Sequence, residues 1–159
     1  FREPRVVEPG QTGFQGGNAE GWKYTSGSPN EVWSYGEKVY EICKKYMFIR
    51  EQMRPYLKEQ MRMAHEKGTP VMRPLFYDYP EDKKAWEVED EYLLGADVLV
   101  APITEKDVRE RGLYLPEGSW VNLDSKEVLQ GGQNITCRAE LDTIPVFIRD
   151  GKFDQVIQK

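Results

Sequence analysis

Between two stretches of helical pattern the chain carries one short, nearly continuous apolar run, Val71-Met72-Arg73-Pro74-Leu75-Phe76-Tyr77. Such a run suits a strand buried on both faces, as in a parallel sheet. One strand cannot make a parallel sheet, so the first half of the chain reads as the tail of something larger. Pro74 has no N–H for a ladder and belongs near a strand end or an irregularity. With 159 residues the chain can form one ordinary domain or a small pair. It is too short for a complete (β/α)8 barrel, which takes about 250 residues.

The flanking patterns are distinct. Residues 1–33 are rich in Gly, Pro and Gln and read as irregular. Ser34-Tyr35-Gly36-Glu37 has the spacing of a capping box. Val39, Ile42, Tyr46, Ile49 and Met53 then recur at helical spacing. Pro55 interrupts that helix, because it removes a donor and crowds the preceding turn. Apolar positions resume at Tyr56, Leu57, Met61 and Ala64, and Gly68 stands where a helix C′ glycine belongs. Pro80 to Leu94 reads as a loop and a short helix closed by Gly95. From Asp97 the pattern is all-β, with strands expected at 97–103, 113–115, 120–123, 127–130, 134–139 and 145–148. Short strands with close turn signals suggest a small antiparallel sandwich. The expected architecture is α/β followed by all-β, with the boundary between 1–94 and 95–159.

Several function classes are excluded. A net charge of −5 offers no basic excess to neutralise phosphates, so no nucleic-acid partner is expected. No apolar run approaches the roughly 20 residues that span a bilayer, so no membrane partner is expected either. Cys43 and Cys137 form no C-x-x-C pair, and with one histidine no metal site is expected. The two cysteines read as free buried thiols, with one bridge as the alternative. Sparing cysteine use points towards the cytoplasm, and no signal-peptide pattern opens the sequence. Gly16-Gly17 and Gly131-Gly132 fit neither a dinucleotide nor a P-loop fingerprint, so no cofactor is expected.

The residues that could carry chemistry are few. Asp78 ends the apolar run beside Tyr77 and Tyr79. In barrels functional side chains lie at the C-terminal ends of strands, which makes Tyr77 and Asp78 candidate substrate-binding residues. Glu87, Glu89, Asp90 and Glu91 are dense, and a charge run of this kind reads as a solvated helix face. His65 falls in the last turn of a helix, where an imidazole suits the dipole. No G-x-S-x-G elbow accompanies it. Trp22, Trp33, Trp86 and Trp120 could stack on sugars, although most such rings are core. Asn134-Ile135-Thr136 fits a glycosylation sequon.

At Pro70 to Phe76 the sequence resembles the family 31 glycoside hydrolases, the α-glucosidase and α-xylosidase group. The likeness continues through Asp90-Glu91-Tyr92-Leu93-Leu94-Gly95 to Val100-Ala101-Pro102, then Tyr114 to Trp120, Gly131-Gly132 and Ile144 to Gly151. Upstream, Glu31 to Glu37 and Ile49 to Tyr56 are similar to further family segments. The resemblance covers residues 31–151 in order. It implies that residues 1–94 end a catalytic (β/α)8 barrel, with its last strand at Val71–Phe76. It implies that 95–159 form the β-sandwich that follows.

The resemblance also implies a retaining α-glycosidase whose aspartate nucleophile and aspartate acid lie upstream, so no catalytic residue is assigned within this chain. Retaining chemistry needs two carboxyls about 5–5.5 Å apart. The family's R-x-H-G motif touches the sugar. Arg2 is either its arginine, with Pro4 where the histidine would stand, or follows the motif, as Arg2-Glu3-Pro4 favours. Arg2 is thus a third candidate substrate contact. The implied partners are an α-linked oligosaccharide or glycoside and the missing upstream barrel segment. A cut barrel exposes apolar edges, which also favours a homo-oligomer. The rival reading is a non-catalytic carbohydrate-binding or interface module.

Overall fold

The structure, a computed structural model, describes residues 16–17, 23–24 and 32–158. The chain divides into two compact units, 1–48 and 49–159. Most of the stretch read as irregular, 1–33, and with it Arg2 and Trp22, lies outside the described residues. In the first unit β1 (Gly16–Gly17) and β2 (Lys23–Tyr24) pair antiparallel. A 3₁₀ turn follows at Val32–Tyr35. Gly36, at φ +89°, leads into α1 (Glu37–Gln52). Its carbonyl accepts the Tyr40 N–H at 3.0 Å. The helix therefore starts from Gly36 and not from the capping box read at Ser34. The positive φ before Glu37 is one that glycine adopts without a Cβ clash. No residue of α1 is buried, so its apolar stripe is only partly covered.

In the second unit α2 spans Arg54–Lys67, with Pro55 in its first turn. That position has no intrahelical acceptor to lose, which is why the expected break falls there. Gly68 closes the helix in the left-handed region and donates its N–H to the Ala64 carbonyl at 3.0 Å. Next come β3 (Met72–Arg73), the short helix α3 (Leu75–Asp78) and a 3₁₀ turn at Lys84–Trp86. The strands β4 (Tyr92–Leu94), β5 (Val98–Val100), β6 (Glu110–Leu115) and β7 (Ser119–Asn122) follow. The chain ends with β8 (Val128–Gln130), β9 (Gln133–Arg138), β10 (Val146–Arg149) and the short helix α4 (Phe153–Val156).

The six strands read after Asp97 are all present, and a β-sandwich results. One sheet has the order β3-β4-β5-β10-β7-β8, and β6-β9 form a two-stranded ribbon. Every pairing among the described residues is antiparallel. The apolar run differs from its reading. Only Met72 and Arg73 are strand, and they pair antiparallel with Leu94 and Leu93. Pro74 ends the strand at φ −68°, ψ 158°, and Leu75–Asp78 coil into one helical turn. Tyr92–Leu94, expected in the loop and short helix, is strand instead.

The central strands β5 and β10 of the six-stranded sheet carry buried side chains on both faces. Leu93, Leu99 and Phe147 are register partners across β4, β5 and β10. They face the ribbon's Leu113 and Leu115 together with Trp120. The neighbours in the alternation, Val98, Val100 and Ile148, face Tyr56 and Val156, with Ile49, Met53 and Leu57 packed alongside. Full burial of such side chains stabilises by about 1.5–3 kcal/mol each. The β4–β5 turn is held by α2. The Tyr56 hydroxyl donates to the Leu94 carbonyl at 3.0 Å and accepts the Asp97 N–H at 3.1 Å. Gly95 sits at φ +67°, and a Cβ there would come within 2.1 Å of that hydroxyl oxygen. The Leu94–Gly95 junction thus joins two paired strands of one sheet.

Candidate functional site

Tyr77 and Asp78 lie on α3, brought together by the helical turn after Pro74. Asp78 Oδ1 accepts from the Arg73 guanidinium at 3.0 Å. Arg73 is buried, and its guanidinium also lies over the Tyr77 ring, 5.2 Å from the centroid. One arginine thus orders both candidate residues. The Tyr77 ring is half exposed and can offer a face to a ligand. Arg73 Nε and Asp78 Oδ2 have no hydrogen-bond partner.

The chain beyond α3 is tied down twice more. Arg149, on β10, donates to the Tyr79 hydroxyl at 2.7 Å and lies over the Trp120 ring, 5.0 Å from its centroid. Its Nε stands 3.6 Å from Asp97 Oδ1. Burial pushes the Tyr79 phenol above its ordinary value, with Arg149 opposing. Asp82 accepts the Tyr114 hydroxyl at 2.6 Å on one oxygen and the Lys84 amide at 3.0 Å on the other. These ties shape a cleft of about 660 Å³ lined by Asp78, Tyr79, Glu81, Asp82, Tyr114 and Glu117, among others. Its carboxylates can accept hydrogen bonds from a hydroxyl-rich ligand. Asp82, with both oxygens engaged, holds structure.

A second cleft, of about 570 Å³, is lined by Glu87, Asp90, Glu91, Arg111, Asn134 and Thr136 with neighbours. Here the acidic run departs from its reading as a solvated helix face. Residues 87–91 form no helix, and Glu91 is buried, with only 7% of its surface exposed. Its Oε1 accepts the Tyr114 N–H at 2.8 Å. Burial raises its pKa from 4.5 to about 7, opposed by that hydrogen bond and by Arg111. Nothing in the run's composition marks which carboxyl turns inward. The signal available is the β4 alternation that continues from it.

The remaining candidates separate. His65 is exposed in the last turn of α2. Trp120 is core, its indole N–H donated to the Pro116 carbonyl at 2.9 Å. Trp86 is exposed and stacks on Phe76 at 4.4 Å, and Trp33 is exposed. Asn134 is exposed on β9. Cys43 and Cys137 are unbridged thiols. Among the described residues no group of three or more His, Cys, Asp or Glu could hold a metal ion. No helix among them is long and apolar enough to cross a membrane.

Comparison with known proteins supplies what geometry leaves open. Residues 68–153 match the glycosyl hydrolase family 31 C-terminal domain. The chain is 46% identical over 121 residues to alpha-glucosidase 2 of Bacillus thermoamyloliquefaciens, covering 76% of this chain and 15% of that protein. It is 32% identical over 124 residues to the alpha-xylosidase of Saccharolobus solfataricus, covering 77% of this chain and 17% of that one. Its fold is similar to the crystal structure of a family 31 alpha-xylosidase from a soil metagenome, complexed with xylose. The TM-score is 0.80 at 43% identity, over 94% of this chain and 22% of that one. The chain thus spans less than a quarter of each of these proteins.

Proposed function

The chain belongs to glycoside hydrolase family 31, and from that membership we propose that it is the C-terminal portion of a retaining α-glycosidase. The intact protein cleaves α-glucosidic or α-xylosidic bonds in oligosaccharides or glycosides. The observation that carries this reading is the match of the β-domain, over 68–153, combined with relatives several times longer than this chain. Two carboxyls about 5–5.5 Å apart, one attacking the anomeric carbon and one protonating the leaving oxygen, perform the retaining reaction. In this proposal both belong to the upstream barrel, and the present chain supplies none.

Residues 1–94 close that barrel, and 95–159 continue as the β-sandwich. The barrel's last segment passes β3 and β4 into the sheet that the β-domain completes. Exposed apolar side chains at Met61, Met72 and Trp86 support contacts with an upstream segment, since exposed apolar surface marks contact sites. Tyr77 and Asp78, ordered by Arg73, contribute to the wall of the sugar site. Tyr77→Ala in the intact protein is expected to raise KM more than it lowers kcat.

The test is an assay of this chain alone and of the intact protein on aryl α-glucosides and α-xylosides. The intact protein is expected to turn over with retention of anomeric configuration, followed by NMR, and the isolated chain to be inactive. Robust turnover by the isolated chain, abolished by substitutions within it, would overturn the proposal, as would inversion by the intact protein.

A further inference from the structure

The β6–β9 ribbon pairs with no strand of the six-stranded sheet. Polar ties to it come from the segment that runs from Asp82 to Glu91. Asp82 holds the Tyr114 hydroxyl at 2.6 Å. Asp90 holds Arg111 through its carboxylate at 2.7 Å and its carbonyl at 3.1 Å. Glu91 reaches the backbone of β6 itself and accepts the Tyr114 N–H at 2.8 Å. The Ala139 N–H is donated to the Arg109 carbonyl at 2.9 Å, and the alternation of an antiparallel ladder then puts the Tyr114 amide, opposite Asn134, on the edge of β6 away from β9. Glu91 thus caps a β6 amide that no strand satisfies.

The second oxygen of the same carboxyl, Oε2, is buried and has no hydrogen-bond partner. A buried carboxylate with one bare oxygen is costly, whereas the neutral acid is tolerated. The surrounding charges offset that cost only in part. Arg111 is committed to Asp90 on β6's flank. Glu87, Glu89 and Asp90 line the same cleft from the loop, and Asp90 disfavours another negative charge at Glu91. From β9 the Cys137 thiol is pushed up by burial and by Glu91, against Arg111.

We propose that Glu91 is a proton-dependent clip between the six-stranded sheet and the β6–β9 ribbon. With its proton, the carboxyl holds the ribbon against the sheet through Tyr114. Without it, a buried charge only partly offset by the Tyr114 N–H and Arg111 sits in the sandwich, and the ribbon opens more readily. The folded state binds the proton more tightly than the unfolded chain does. Stability from the neutral clip is therefore full below the ordinary carboxyl range and is lost as pH rises through about 7. The device is independent of sugar chemistry.

Hydrogen exchange of the protein at about pH 5.5 and about pH 8, corrected for intrinsic rates, tests it. In the wild type, protection of the β6 and β9 amides is expected to fall by about tenfold or more at the higher pH, with the β5 and β10 amides following less. Glu91→Gln, which keeps the acceptor and removes the titration, is expected to abolish that difference. An equal fall in both proteins, or no fall in the wild type, would overturn the proposal. If Glu91→Gln does not fold, a ¹³C-carboxyl titration of the wild type decides. A Glu91 midpoint near neutrality, tracked by the Tyr114 amide shift, supports the clip, and a midpoint in the ordinary carboxyl range refutes it.

Discussion

The two faces of the six-stranded sheet are sealed by different chemistry. Towards the helices, Val98, Val100 and Ile148 lie under Tyr56, and the polar tie to the β4–β5 turn is one phenol with two hydrogen bonds. Towards the ribbon, Leu93, Leu99, Trp120 and Phe147 form the apolar layer. Carboxyls at Asp82, Asp90 and Glu91 tie the ribbon down. The difference lies in what titrates. A neutral phenol ties one face at any ordinary pH, whereas the other includes Glu91, whose neutral form burial favours up to about 7.

Four substitutions test that contrast. Phe147→Ala, which empties the centre of the ribbon-side layer, is expected to destabilise by about 3–5 kcal/mol in chemical denaturation. A loss under about 1 kcal/mol would show that the layer is not a packed core. Tyr56→Phe should cost about 1–3 kcal/mol, because the Leu94 carbonyl and the Asp97 N–H both lose their buried partner. Burial pushes the Tyr56 phenol up to about 12 from 10.0. Its neutral form is favoured by folding, so the helix-side tie weakens only as pH climbs from 10 towards 12. Glu91→Gln should leave the unfolding midpoint unchanged at acidic pH and raise it by a few degrees above pH 7. Parallel pH profiles for variant and wild type would erase the contrast between the faces. Arg62→Ala removes ion pairs to Glu59 and Glu66 on the exposed side of α2. No resolvable change in midpoint is expected there, because solvent and salt screen such pairs.

Legibility in the sequence followed the range of the forces involved. The strands after Asp97, the proline break before Tyr56 and the glycine stop at Gly68 are local matters of period, missing donor and positive φ, and all could be read. The capping box at Ser34 does not mark the start of α1, because Gly36 offers a competing turn two residues later. The apolar run at Val71–Tyr77 reads as one strand, but only Met72 and Arg73 form one. Its composition suits a buried segment of either kind, and Pro74 divides it. Tyr77 and Asp78 were legible as neighbours, but the buried Arg73 that orders both was not singled out. Glu91 was hidden in a run whose members look alike.

Sequence alone determined the order of elements, the all-β character of the second half and the likeness to a glycoside hydrolase family, because period, turn chemistry and ordered motifs are written residue by residue. Tertiary structure decided that β3 and β4 join the sheet across the Leu94–Gly95 junction. It also decided that Arg149 reaches Tyr79, and that one glutamate of an acidic run is buried against a backbone amide. Those outcomes depend on which distant surfaces meet. Burial, the quantity that turns an ordinary carboxyl into one that titrates near neutrality, exists only once they have met.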